Sequence, residues 1–290
     1  MNLATATRLQ VALPSDILWQ QSVGLLLDGV QVENLLKRLY QWSDAPTVNV
    51  LYSGTRFGAL KQMSPCLVRI ESADDPILAQ FLSCIDQQWG YLLISAEPWE
   101  QLTAHLRWLL SVEHHSGQEV LLRIAYPAVA DALFALADSA LFGPCQRVVT
   151  ADLVNGGWHQ YIRPGETPRS DHAKPYRLSA KQWLCLDNAS MGKTVAELSR
   201  HMSRYFPGYY ADLTDKERNE HLQDLVKRAA EHGFETEKEL YLYCNAHGFV
   251  GEQGLEDCSF ALFLNRHPLD KGSSWRAEAL ASAAQEGSQP

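Results

Sequence analysis

Residues 23–40 read VGLLLDGVQVENLLKRLY, and the fold class follows from how this stretch divides. An apolar run, Val23 to Leu27, stops at Asp28-Gly29. Immediately after it Val32, Leu35, Leu36, Leu39 and Tyr40 recur at the 3.6-residue spacing of one helix face. A strand that ends in an acid and a glycine and runs straight into a helix is how many nucleotide and catalytic sites begin. The same junction also serves as a plain strand-to-helix turn, with Asp28 near the helix N-terminus, where a carboxylate is favourable. Working outward, strand-like runs recur at Val48–Tyr52, Cys66–Ile70, Tyr91–Ser95, Val120–Ile124 and Gln146–Thr150. Helical stripes lie between most of them. Ile77, Leu78, Phe81, Leu82 and Ile85 mark one, Leu102, Leu106, Leu109 and Leu110 another, and a third runs from Pro127 to about Ala137. This alternation predicts an α/β lobe over residues 20–150, with a mixed, mostly parallel sheet and flanking helices. The run from Cys66 follows Met63-Ser64-Pro65 too closely for a crossover helix, so it is expected antiparallel to one neighbour.

Residues 151–178, ADLVNGGWHQYIRPGETPRSDHAKPYRL, change character. Glycines, prolines and polar residues mark a connector between two lobes. Beyond it the pattern is helical only, giving an all-helical C-terminal lobe over residues 179–266. Ser179 with Gln182, Thr214 with Glu217 and Thr236 with Glu239 each have the spacing of a capping box. Leu222, Leu225, Val226, Ala229 and Ala230 form one stripe, and Gly233 stands where a left-handed helix end is wanted. Small and polar residues from about His267 predict a mobile tail over 267–290.

The chain has 290 residues and a formal net charge of −9. That charge speaks against nucleic acid as the main partner, since phosphate contacts need clustered Lys and Arg, and against an anionic membrane surface. No apolar run approaches the roughly 18–20 residues of a membrane helix. The opening MNLATATRLQVALPSD lacks the apolar core of a secretory signal, so a cytoplasmic location is expected. Six scattered cysteines, Cys66, Cys84, Cys145, Cys185, Cys244 and Cys258, show no metal or redox spacing and are expected to be buried thiols.

The motifs of catalysis do not assemble. Gly192-Lys193-Thr194 lacks the earlier glycine of a phosphate loop, because Asp187 stands there. His114-His115 has no acid at ligand spacing, and no nucleophile elbow or dinucleotide fingerprint is present. Asp28 alone cannot complete a catalytic site. No cofactor and no metal is expected.

Several blocks resemble one known family, the cytoplasmic adaptor proteins, or effector chaperones, of the bacterial type VI secretion system. The blocks are LLLDGVQVENLLKRLY (25–40), SPCLVRIE (64–71) with its outward Arg69, WGYLLISAEPWEQLTAHLRWLLSV (89–112), VLLRIAYP (120–127) and LFGPCQRVV (141–149). HLQDLVKRAAEHGFETEKELYLYCNA (221–246) carries a looser likeness to the family's helical part. Tyr126 departs from the pattern by standing where the family often has an acid before the proline. The resemblance implies a non-enzymatic adaptor that binds a secreted effector and helps load it onto the VgrG spike, through the spike's C-terminal region or elsewhere.

On that reading the two lobes are expected to form a cleft for a polypeptide segment. The expected contacts are the loops past the strand ends and the aromatic and arginine side chains near them: Asp28, Arg56, Arg69, Trp99, Tyr126, Trp158, Tyr161 and Arg163. The competing reading is a small-molecule-binding or hydrolase-like α/β protein whose site lies at the strand carboxyl ends, with Asp28 joined by an acid such as Glu71 or Glu97.

Overall fold

The computed structural model describes residues 12–114, 116–153, 155–168, 172–209, 211–256 and 272–287. The chain divides into two compact units after Ala189. In the first, β1 (Ser22–Leu27) is followed by α1 (Leu35–Trp42), β2 (Val48–Val50), β3 (Cys66–Ile70), α2 (Pro76–Ser83), β4 (Gly90–Ser95) and α3 (Trp99–Leu109). Next come β5 (Ser111–Glu113), β6 (Glu119–Leu121), α4 (Pro127–Phe134), α5 (Ser139–Phe142), β7 (Cys145–Asp152), β8 (Gly157–Ile162) and β9 (Tyr176–Arg177). Six strands form one sheet in the order β2-β3-β1-β4-β7-β8, and β6-β5-β9 form a small second sheet.

Every pairing in the large sheet is antiparallel, which corrects the mostly parallel sheet expected from the alternation of strands and helices. The helical crossovers are real, but each steps over a strand. β1 and β2, joined through α1, point the same way with β3 between them, and β3 and β4, joined through α2, point the same way with β1 between them. Among the described residues the one parallel pair is β5 with β9. The antiparallel placing of β3 against both neighbours agrees with its short approach from Met63.

Helices cover both faces of the sheet. Val23, Leu25 and Leu27 of β1 pack with Leu35 and Leu39 of α1 and Ile77, Leu78 and Phe81 of α2. Leu26, Leu67, Tyr91 and Leu93 face the other way, onto Leu102, Leu106 and Leu109 of α3 and Leu133 and Phe134 of α4. Two-sided burial is the physical reason for unbroken runs such as LLL and YLLIS. An antiparallel sheet buried on one face only would alternate apolar and polar residues.

The expected connector is corrected as well. β8 adds an edge strand to the large sheet, paired with β7 from Arg147↔Ile162 to Asp152↔Gly157, and β9 completes the small sheet. Between β7 and β8 Asn155-Gly156, with Gly156 at φ 70°, forms a hairpin turn tied back to Asp152.

The second unit holds residues 190–205 of α6 (Ala180–Tyr205), α7 (Asp215–Glu231), α8 (Glu237–Glu256) and α9 (Ser273–Gly287). Its core joins Leu198 and Met202 to Leu222, Leu225, Phe234, Tyr243 and Cys244. All three capping boxes form. Gly233, at φ 77°, ends α7 in a Schellman turn, its N–H bonding Ala230 and that of Phe234 bonding Ala229. In place of a mobile tail, Ser273–Gly287 is helical and seats Ala277, Leu280 and Ala284 in this core; the rest of the stretch from His267 lies outside the described residues. Gly192-Lys193-Thr194 falls inside α6, where Lys193 pairs with Glu197 one turn on.

Glu239 joins α8 to α9. It is 1% exposed, and its Oε2 accepts the N–H groups of Glu235 and Thr236 at 3.0 Å. Its Oε1 accepts the hydroxyls of Ser273 and Ser274 at 2.7 Å. Burial pushes its carboxyl pKa up, but these bonds outweigh it and hold the group at about 2, against an ordinary value of 4.5. A depressed folded pKa stabilises the protein above the unfolded value, and that contribution is lost as pH falls from about 4.5 through about 2. Glu239→Gln, whose amide turns a donor toward donors, is expected to cost about 2 kcal/mol. In hydrogen exchange at neutral pH the loss should appear as faster exchange in the first turns of α8 and α9, and it should shrink as pH falls through that window.

Candidate functional site

The antiparallel sheet separates the loops that were expected to converge. Leu27 pairs with Gly90 and Ser22 with Ser95, so the loop after β1 and the loop after β4 lie at opposite ends of the sheet. Asp28 and the turn Ser53-Gly54-Thr55-Arg56 follow parallel-oriented strands and share one end. Ser95 to Trp99, and with them Glu97, lie at the other, as does Glu71 beyond the end of β3. No single constellation at the strand ends joins Asp28 to Glu71 or Glu97.

The residues singled out from sequence are, almost without exception, held within the fold. Asp28 is 2% exposed. Its Oδ2 accepts Arg123 Nε at 2.6 Å, its Oδ1 accepts the Val30 N–H at 2.8 Å, and its backbone bonds Trp89, Gln31 and Val32. The helix begins only at Leu35, so Asp28 closes a turn and does not sit at a helix N-terminus. Arg123 bonds Gln31 at 3.2 Å and stacks on Tyr126, whose ring centroid is 4.8 Å from the guanidinium carbon. Tyr126 itself leads into α4.

Arg56 pairs with Glu119 at 2.7 Å, a bond that raises the guanidinium pKa and lowers the carboxyl pKa, and it also reaches Ser111. Trp99 is buried against α3's own Leu102, bonds Asn49 Oδ1 at 2.6 Å, and carries Arg69 over its ring at 6.0 Å. Trp158 donates to the Ala12 carbonyl at 2.8 Å, and Tyr161 to Asp131 at 2.9 Å. These two pack into opposite sides of the sheet. Arg163 bonds the Gly143 carbonyl at 2.8 Å.

The perturbed histidine of this unit is a brace. His105 Nε2–H donates to the Leu141 carbonyl at 2.9 Å, leaving Nδ1 to accept from His172 Nε2 at 3.3 Å. Burial lowers its pKa to about 4. The five described cysteines are free thiols. Burial pushes Cys66, Cys145 and Cys244 up to about 12, while Cys84 and Cys185 are only half-buried and Cys258 lies outside the described residues. Among the described residues no three His, Cys, Asp or Glu side chains are placed to hold a metal ion, and no helix is long and apolar enough to cross a membrane.

A different surface is uncommitted. An open groove of about 600 Å³ lies beside edge strand β2. Val50 and Cys66 line it from the strands, Leu36, Lys37 and Tyr40 from α1, and Lys61 from the 3-10 turn Gly58–Met63. Leu36 is 44% and Tyr40 57% exposed, one helical turn apart, while Leu35 and Leu39 beside them are buried. Exposed Leu60 and Met63 on the 3-10 turn and Val30 before α1 add apolar surface nearby. The stripe Val32, Leu35, Leu36, Leu39, Tyr40 has the ordinary spacing of a core-facing helix, so the residues alone do not mark Leu36 and Tyr40 as surface.

Residues 25–140 match the family described as "Domain of unknown function (DUF4123)". The chain is also 29% identical over 276 residues to "Accessory protein VasW" of Vibrio cholerae serotype O1, an alignment covering 93% of this chain and 90% of that protein. The two matches bear out the resemblance to the type VI adaptor family. The matched span runs from β1 to α5, so it takes in the groove and the Asp28–Arg123 pair. No solved structure matches the chain.

Proposed function

We propose that this protein is a cytoplasmic adaptor of type VI secretion. It holds an effector polypeptide and helps attach it to the VgrG spike, without chemical turnover. The observation that carries this reading is the contrast within the α/β unit. Its distinctive polar side chains, Asp28, Arg123, Arg56 and Arg163, are held by internal partners, whereas an apolar, solvent-open groove beside a sheet edge is left without any. A surface of that kind suits protein contact more than catalysis. The likeness to an accessory protein over nearly the whole chain supports the same reading. The hydrolase-like alternative loses support because the carboxylate it needs is buried in an ion pair and its candidate acids stand at the far end of the sheet.

The test is co-expression with a candidate effector and VgrG, followed by affinity capture and a solubility assay. The expected result is an effector that is more soluble with this protein and a complex that retains VgrG. An effector equally soluble alone, with no complex recovered, would end the proposal.

A further inference from the structure

We infer that the groove beside β2 receives an acidic amphipathic segment of the partner polypeptide; this rests on the adaptor reading and specifies its chemistry. Leu36 and Tyr40 form an exposed apolar ridge, and the Tyr40 hydroxyl has no hydrogen-bond partner among the described residues. Lys37 and Lys61 stand on the two walls, neither in an ion pair among the described residues, and no acid lines the groove. Two unpaired ammonium groups flanking an apolar ridge are complementary to a segment with apolar side chains along one side and carboxylates beside them.

Strand addition is a poor fit to the same edge. β2 has three residues, the turn back at Ser53 already takes the Val50 carbonyl, and Thr47 and Leu51 are bonded toward β3. Little backbone remains to template a strand, so recognition falls to side chains.

The experiment uses the full chain and an array of synthetic peptides tiling the effector and VgrG. Expected is binding confined to acidic amphipathic tiles and weakened as salt rises. Two double variants, Leu36→Ala with Tyr40→Ala and Lys37→Glu with Lys61→Glu, each weaken it by about tenfold or more. All four positions are exposed, so folding, checked by circular dichroism, is retained. Peptides in which the acids are replaced by Lys should regain affinity for the Lys37→Glu, Lys61→Glu protein. Binding of basic or neutral tiles, binding indifferent to both variants, or no binding to any tile overturns the inference. So does sedimentation showing a dimer that Leu36→Ala with Tyr40→Ala dissolves, since a second copy would then fill the groove. Whole-effector capture that survives both double variants would leave the adaptor reading standing and remove the groove from it. Loss of whole-effector capture by the unaltered protein would strike the adaptor reading itself.

Discussion

Gly29→Ala is expected to cost roughly 3 kcal/mol or more, enough to leave the first unit largely unfolded at moderate urea. A methyl group built on Gly29 would stand 2.2 Å from the Ser64 carbonyl oxygen and 2.7 Å from the Met63 carbonyl carbon. Both are backbone atoms, so no rotamer can relieve the overlap. They also sit where Ser64 ties β2 to β3, its hydroxyl accepting the Tyr52 N–H at 2.9 Å. To admit the methyl, either the turn after β1 or the entry to β3 must move, and each is bonded to a central part of the sheet. The matched control is Gly192→Ala. Gly192 lies inside α6 with nothing within 4 Å of the added carbon, so this change is expected to stabilise by about 0.5–1 kcal/mol. Tryptophan fluorescence separates the effects, because all eight tryptophans except Trp275 lie in the first unit. A urea midpoint for Gly29→Ala within error of the unaltered chain would show that the two backbone segments part easily.

Much of this architecture could be read from the residues. The runs at Val23, Val48, Cys66, Tyr91 and Gln146 are strands, and the stripes between them are helices, because burial periodicity reports which atoms leave water. Strand direction is a different kind of fact. When helices cover both faces, a strand reads as a continuous apolar run whichever way its neighbours point. The loops between β1 and β2, and between β3 and β4, fit a crossover to an adjacent strand or over an intervening one equally well. β8 was missed for the opposite reason: GWHQYI is a half-exposed edge strand, so its apolar content is low. The better guide was Asn155-Gly156, a hairpin signal between two strand-length segments.

The site was less legible than the fold. Trp99, Trp158, Tyr161, Arg56 and Arg163 were singled out because their residue types anchor many interfaces. Type does not reveal whether a side chain is already engaged, and each of these meets its partner at large sequence separation. Asn49 lies 50 residues from Trp99, and Ala12 lies 146 residues from Trp158. Such pairings depend on the finished topology. Leu36 and Tyr40 drew no notice as surface because they continue a stripe whose other members, Leu35 and Leu39, are buried.

The Asp28–Arg123 pair gives the second large effect, and it separates a structural acid from a catalytic one. Arg123→Ala leaves a carboxylate at 2% exposure with the Val30 N–H as its remaining side-chain bond. Breaking a buried pair from one side costs about 3–5 kcal/mol. The Arg123 side chain is 30% exposed, so water can enter once it is removed, and the lower end, about 3 kcal/mol, is expected. Arg123→Lys keeps the charge but loses the fork that reaches both Asp28 and Gln31 and the stacking on Tyr126, at a cost of about 1–2 kcal/mol. Asp28→Asn places an amide against the guanidinium and should cost about 2 kcal/mol. Because the partners are in direct contact, the double change Asp28→Ala with Arg123→Ala should fall short of the sum of the singles by about 1–3 kcal/mol. Urea midpoints followed by tryptophan fluorescence give all of these values. An acid kept for chemistry behaves in reverse, since a functional charge held in a poor environment is a stability cost that neutralisation removes. A rise in stability for Asp28→Asn would therefore return Asp28 to candidacy as a reactive group. A fall, with coupling to Arg123, makes the junction that opens the domain a clasp between the end of β1 and the approach to α4.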